Sequence, residues 1–275
     1  MLPRVPWIGI HSYGVLVAAG FLIGLWLAGR LAKWRGVPAG ALNDAVVWAA
    51  LAGLLGAKLT LAIVQPDVLR EHPWQLLMQG GVFYGGLVAA IPVGAFRVRQ
   101  LGVPFHAAAD ACSPALAVAH ALGRMGCFLA GCCWGRACDL PWAVRFSDPD
   151  AAAVRDGFGG VAVHPTQLYE VGGELVLAVI AWRLLRRRAA DGVAWWTYVG
   201  GYGLLRLLVE HFRGDPRGSW ISDRVSTSQG FAVVAIVLAA AMLTWRLRAG
   251  RHSGPGTAAA LVDAGPAPPG GTDGS

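Results

Sequence analysis

Hydrophobic and polar positions along this chain form long apolar blocks, not the short alternations of half-buried strands or the two-faced stripes of soluble helices. The blocks lie at about 12–34, 42–64, 82–100, 106–123, 165–188, 193–212 and 228–248. Each approaches the roughly 20 residues that an α-helix needs to cross a bilayer. The third and fourth are broken by Gly, Pro and polar residues, and interrupted spans of this kind tend to surround a site rather than face lipid. The pattern predicts an all-α, polytopic integral membrane protein with about seven transmembrane helices. Residues 1–250 form one transmembrane domain, with 124–164 as a small outer-face loop subdomain inside it. Residues 251–275, rich in Gly, Pro, Ala and Ser, are expected to be a disordered cytoplasmic tail.

Charge sets the orientation. Arg4 is the only charge before the first block, whereas Arg30, Lys33 and Arg35 follow it. The same side collects Arg97 and Arg99, then Arg183 and Arg186 to Arg188, then Arg246, Arg248 and Arg251, twelve of the 23 basic residues. By the positive-inside rule that side is cytoplasmic, with the N-terminus outside, the C-terminus inside and the first helix uncleaved. Only 14% of the residues are charged and 55% are hydrophobic, far from the balance of a soluble domain. The net charge of +7 is therefore assigned to membrane lipid headgroups, and nucleic acid is excluded as a partner because no basic patch forms.

Several charges fall where lipid disfavours them. Lys58 lies inside the second block. Tyr202, Arg206 and Glu210 recur every fourth residue in the sixth, and Arg213 follows three later. All four share one helical stripe. A charge near a helix centre costs at least about 2.5–3.5 kcal/mol on insertion scales, so the stripe implies an internal cavity, mutual pairing or a charged ligand. An Arg206–Glu210 pair joining helices is the structural reading. A basic pocket for a phosphate headgroup, with Glu210 orienting an arginine, is the functional one, because the planar guanidinium meets phosphate oxygens in pairs. Arg124, between Gly123 and Gly126 at the outer end of the fourth block, adds another positive charge.

Four blocks of sequence resemble the prolipoprotein diacylglyceryl transferase family. They are His11-Ser12-Tyr13-Gly14; Gly123-Arg124-Met125-Gly126-Cys127-Phe128 continuing to Gly131-Cys132-Cys133-Trp134-Gly135; His164-Pro165-Thr166-Gln167-Leu168-Tyr169-Glu170; and Tyr202-Gly203-Leu204-Leu205-Arg206 running on to Glu210 and Arg213. The resemblance implies seven spans in the bacterial inner membrane and a site open to the outer leaflet. It implies transfer of the diacylglyceryl group of phosphatidylglycerol to the lipobox cysteine in the signal peptide of a preprolipoprotein, with glycerol phosphate as the other product. It implies no metal or organic cofactor, and a monomer is taken as the default. On these matches Arg124 and Arg206 are expected to be catalytic, stabilising the phosphate leaving group. Tyr13, Lys58, Gly135, Gln167, Tyr169, Tyr202, Glu210 and Arg213 are expected to bind substrate. The family's third-span motif, His-Gly-Gly-Leu, here reads Tyr84-Gly85-Gly86-Leu87, which makes Tyr84 the candidate base. Cys127 and Cys132 stand where family members carry Asn and Glu. These departures motivate two alternatives, a related membrane transferase acting on another thiol or lipid, and an outer-face thiol or redox protein.

Four of the five cysteines, Cys127, Cys132, Cys133 and Cys138, cluster on the expected outer side. Inert packing, disulfides in an oxidising compartment, metal binding and catalytic use all remain open. The spacing lacks the C-x2-C pair of common zinc sites and has no His at ligand spacing. His120 and His211 are expected to be packed, hydrogen-bonded histidines.

Overall fold

The computed structural model describes residues 3, 11–74, 80–215, 219–222 and 225–252, so the tail expected beyond residue 252 lies outside the described residues. The long helices are α1 (Ser12–Ala32), α2 (Ala39–Val64), α4 (Phe83–Gln100), α5 (Phe105–Ala130), α6 (Thr166–Arg186), α7 (Val193–Phe212) and α8 (Thr227–His252), and α3 (Pro66–Glu71) is a short helix between α2 and α4. Four stretches, Ser12–Arg35, Ala39–Val64, Phe105–Ala130 and Thr227–Arg248, are long and apolar enough to cross a membrane on those grounds alone. The other three long helices, α4, α6 and α7, are not among them.

Two expected boundaries are corrected. The fourth span does not stop at residue 123: α5 continues to Ala130 and ends on Gly131, whose φ of 66° closes the helix in the left-handed conformation. Arg124 and Cys127 are therefore helical. The last helix likewise runs to His252, into the expected tail.

Burial is inverted relative to a soluble protein. Leu22, Trp26, Leu54, Ile63, Val88 and Val237 lie on the outside, while one central cluster is built from Ala28, Ala32, Ala45, Ala107, Ala111 and Ala115. Between spans there is little hydrophobic drive to associate, so small residues that let backbones approach hold the helices together. Gly56 shows the need: an added Cβ would stand 2.7 Å from the carbonyl oxygen of Gly85. The Gly85-Gly86 pair thus serves the α2–α4 contact. α1 packs against α5, α5 against α6, α6 against α7, and α7 against α8. Successive pairs run antiparallel, as Gly20 and Gly24 against Ala119 and Ala115 show for α1 and α5. The basic residues at the ends of α1, α4, α6 and α8 consequently share one face.

At that face a buried carboxylate fastens three segments. Asp110 of α5 is fully buried. It accepts from the backbone N–H groups of Gly192 and Trp195, each at 2.8 Å, and pairs with Arg35 Nη2 at 2.7 Å. It therefore caps α7 from a neighbouring helix and anchors the 3-10 turn after α1. Asp110→Ala leaves Arg35 buried without that partner and should lower stability by about 3 kcal/mol. The measurement is the thermal unfolding midpoint in detergent, and an unchanged midpoint would refute the capping role.

Candidate active site

At the opposite end, residues 131–165 fold over the helix termini around Trp134, Phe146, Ala151, Ala153 and Val163. Two short antiparallel strands, β1 (Val144–Arg145) and β2 (Ala162–Val163), lie in this segment, and β3 (Ser219–Ser222) pairs with β4 (Val225–Ser226) before α8. An added Cβ on Gly135 would stand 2.6 Å from the His164 carbonyl oxygen and 2.8 Å from that of Phe212. Only glycine lets these three backbones meet.

Beneath this cover lies a knot of charge centred on Glu170, in the first turns of α6 and fully buried. One carboxylate oxygen meets Arg124 Nε from α5 at 2.9 Å and Arg213 Nη1, just past α7, at 3.7 Å. The other meets Arg206 Nη1 from α7 at 3.3 Å. Arg206 also pairs closely with Glu210 one turn on. Arg213 forms a two-bond fork on Asp215, at 2.9 and 2.8 Å. Three guanidiniums thus face three carboxylates, which is how the protein tolerates six charges at this depth. The Arg124 side chain is 15% exposed, against 5% for Arg206 and 3% for Arg213, so Arg124 is the member that an incoming anion reaches first.

A second buried pair continues the knot along α5 and α6. His120 Nδ1 lies 2.6 Å from Glu174 Oε1, and the His120 ring leans on Tyr202 with centroids 5.0 Å apart. Glu170 and Glu174 are four residues apart, as are His120 and Arg124, so both rungs join the same helix faces.

Against the thiol side of the knot stand Cys127, Cys132 and Cys133, whose sulfurs all lie within 4.8 Å of one another. Arg124 Nη1 is 3.8 Å from Cys133 Sγ. Hydrogen bonds with the Cys127 and Cys132 thiols, and then the Arg213 and Arg124 guanidiniums, hold the Cys133 thiol below its ordinary range against the opposing effect of burial. Tyr13, at the start of α1, covers this cluster: a Cβ on Gly126 would stand 3.2 Å from its ring.

The expected site residues divide accordingly. Arg124, Arg206, Glu210, Arg213 and Tyr202 come together, with Tyr13 and Gly135 at the margin. Gln167 is fully buried and donates from Nε2 to the Cys132 carbonyl at 2.6 Å, so it positions that loop. Tyr169 accepts from Trp142 Nε1 at 2.8 Å and lies 3.1 Å from His164 Nδ1, tying the cover to α6. Tyr84 stacks face to face on Phe231 of α8, centroids 4.0 Å apart, and takes no part in the ion pairs above. Nor does Lys58, on α2. Glu170 and the His120–Glu174 pair were not assigned from sequence. Their signal is the one that exposed Arg206 and Glu210, namely charged residues four apart within an otherwise apolar helix.

A family model described as prolipoprotein diacylglyceryl transferase matches residues 2–245 of this chain. The chain belongs to the prolipoprotein diacylglyceryl transferase family. Proteins named phosphatidylglycerol–prolipoprotein diacylglyceryl transferase are similar to it along most of their length. The one from Geobacter sulfurreducens is 36% identical over 208 residues, 73% of this chain and 76% of its own. The one from Rhodospirillum centenum is 36% identical over 243 residues, covering 83% and 84%. The one from Clostridium tetani is 31% identical over 231 residues, covering 83% and 90%. Within this transferase family the arginine knot lies in the matched region, and so does the three-cysteine cluster.

Proposed function

We propose that this chain transfers the diacylglyceryl group of phosphatidylglycerol to the lipobox cysteine thiol of preprolipoproteins, the step that begins bacterial lipoprotein maturation. The observation that carries this reading is the exposed edge of Arg124 within a charge-balanced knot at one end of an apolar helix bundle. A phosphodiester arriving there exchanges its hydration for guanidinium donors already held in place, and those donors strengthen as charge develops on the leaving phosphate. Arg206 backs Arg124 through the shared Glu170 carboxylate.

An apolar cavity of about 320 Å³ lies between α1, α2, α4 and α5, bordered by Phe21, Leu25, Ile91, Leu116 and Ala119 among others. Ala119 precedes Arg124 by five residues on α5, about 7.5 Å along the axis. We assign the cavity to an acyl chain of the lipid whose phosphate Arg124 binds. The basic face is assigned to the cytoplasm of the inner membrane and the arginine knot to the outer leaflet, where signal peptides emerge, with all seven long helices crossing and residues 253–275 cytoplasmic. The chain works as a monomer.

Purified protein in phosphatidylglycerol vesicles should lipidate a lipobox peptide, and vesicles of phosphatidylethanolamine alone should not support the reaction. Equal turnover of both lipids would overturn the headgroup assignment. Tyr84→Phe preserves the stacking on Phe231 and should retain activity within about threefold, since less than 1 kcal/mol is at stake. A fall of a hundredfold would instead assign the phenol to thiol deprotonation.

A further inference from the structure

Transfer to a thiol needs a group that takes the acceptor's proton, because the thiolate and not the thiol is the nucleophile. The carboxylates of the knot are unsuited to that task, since Glu170, Glu210 and Asp215 each face a guanidinium. Tyr84 lies stacked on Phe231 instead. One ionisable side chain beside the knot is held differently. His120 Nδ1 lies 2.6 Å from Glu174, whose carboxylate is fully buried, yet the His120 side chain keeps 21% exposure, more than the 15% of Arg124. A pair that only fastened α5 to α6 would be sealed on both sides. This ring is hydrogen-bonded, as expected from sequence, but not sealed.

Its place on α5 indicates what reaches it. Leu116, His120 and Arg124 are four residues apart and form one row along the helix, each about 6 Å from the next. Leu116 borders the apolar cavity, and Arg124 enters the ion pair with Glu170. His120 therefore stands at the junction of the cavity and the arginine knot. A phospholipid with its phosphate on Arg124 and an acyl chain in the cavity carries its glyceryl carbons past this ring. Displacement at the terminal glyceryl carbon brings the sulfur in opposite the departing phosphate oxygen, on the His120 side.

We infer that His120 is the general base for the acceptor thiol and that Glu174 is its positioning residue. The inference rests on the proposed transfer reaction and names the group that activates its nucleophile. Glu174 accepts from Nδ1–H, which fixes the tautomer and leaves Nε2 to take a proton. The Tyr202 ring, 5.0 Å from the imidazole between centroids, limits its rotation. In the reaction Nε2 takes the thiol proton, the sulfur forms an S–C bond to the terminal glyceryl carbon, and the C–O bond to phosphate breaks. The electron pair of that bond stays on the phosphate oxygen, which leaves as glycerol phosphate from Arg124. Glu174 offsets the imidazolium charge until the proton passes to water. Nothing is oxidised or reduced.

The test compares a lipobox peptide with its selenocysteine analogue, using the purified full chain in phosphatidylglycerol vesicles under reducing conditions. A selenol is ionised at neutral pH and needs no base. A positioned base contributes about 10²–10⁴-fold, so His120→Gln should lower kcat for the cysteine peptide at least about a hundredfold, with KM within about threefold. With the selenocysteine peptide the same variant should work within about fivefold of wild type. Glu174→Gln should lose about tenfold with cysteine and be relieved by the selenol in the same way. Arg124→Ala should fail with both peptides, because the leaving phosphate still needs its donors. An equal loss of His120→Gln with both peptides would make the histidine structural and overturn the inference. Full-rate transfer to cysteine by that variant would do the same, and either result leaves the transfer reaction standing. A folded wild-type protein that lipidates neither peptide would overturn both.

Discussion

Arg124→Ala should abolish diacylglyceryl transfer, lowering kcat/KM at least a thousandfold, about 4 kcal/mol of transition-state stabilisation. The guanidinium is the least buried of the three in the knot, and its Nε lies 2.9 Å from Glu170 in an ion pair that holds the group in place. Arg206→Ala should be as severe for a second reason. Arg206 meets both Glu170 and Glu210, so its loss frees two buried carboxylates to compete for Arg124 and to repel phosphate. Arg124→Lys separates charge from geometry: it keeps the positive charge but loses the fork and should recover only a small part of the rate. Activity is read as lipidated peptide per unit of protein that elutes as a single folded species in detergent. Near wild-type turnover in either alanine variant would refute the assigned roles.

The second large effect is on stability. Glu170→Gln removes the fully buried carboxylate that faces Arg124, Arg206 and Arg213. Three guanidiniums are then left crowded in a poorly solvated space, and the expected loss is about 3–5 kcal/mol, seen as a lower unfolding midpoint and a poorer yield of folded protein. Pairing the substitution with Arg206→Gln should restore part of that loss, because the second change removes a charge that the first left uncompensated. A double-mutant cycle should therefore give a coupling of more than about 1 kcal/mol. Strict additivity would mean that the two residues do not share an energetic site.

The bundle was legible in the sequence because crossing a bilayer demands long apolar runs, and that demand leaves a strong imprint. The end of the fourth run was not. Gly123, Arg124 and Gly126 read as a helix terminus, yet α5 carries them and stops only at Gly131. Arg124 is tolerated inside the helix because Glu170 arrives from α6, a partner 46 positions away in the chain, which no local pattern announces. Asp110 went unread for a similar reason. Its value lies in the backbone of Gly192 and Trp195, groups that every sequence contains. Arg206, Glu210 and Arg213 were legible because one helix carries them in a repeating stripe. Gln167 was legible as a motif residue, but its hydrogen bond to the Cys132 carbonyl, which holds the thiol loop, joins groups that no local pattern pairs. The nearness of Cys127 to Cys132 and Cys133 depended on a turn geometry, the left-handed Cys133, that the sequence does not advertise.

The arginine knot is expected to hold the phosphate of a diacylglyceryl donor while a peptide thiol displaces it. Mass spectrometry of a lipobox peptide after incubation with the purified protein and phosphatidylglycerol tests this directly. The expected product is heavier by one diacylglyceryl group on the cysteine sulfur, with equimolar release of glycerol phosphate, and neither product forms with Arg124→Ala. An unmodified peptide from folded wild-type protein, or the same lipidated product from Arg124→Ala at an undiminished rate, would contradict it.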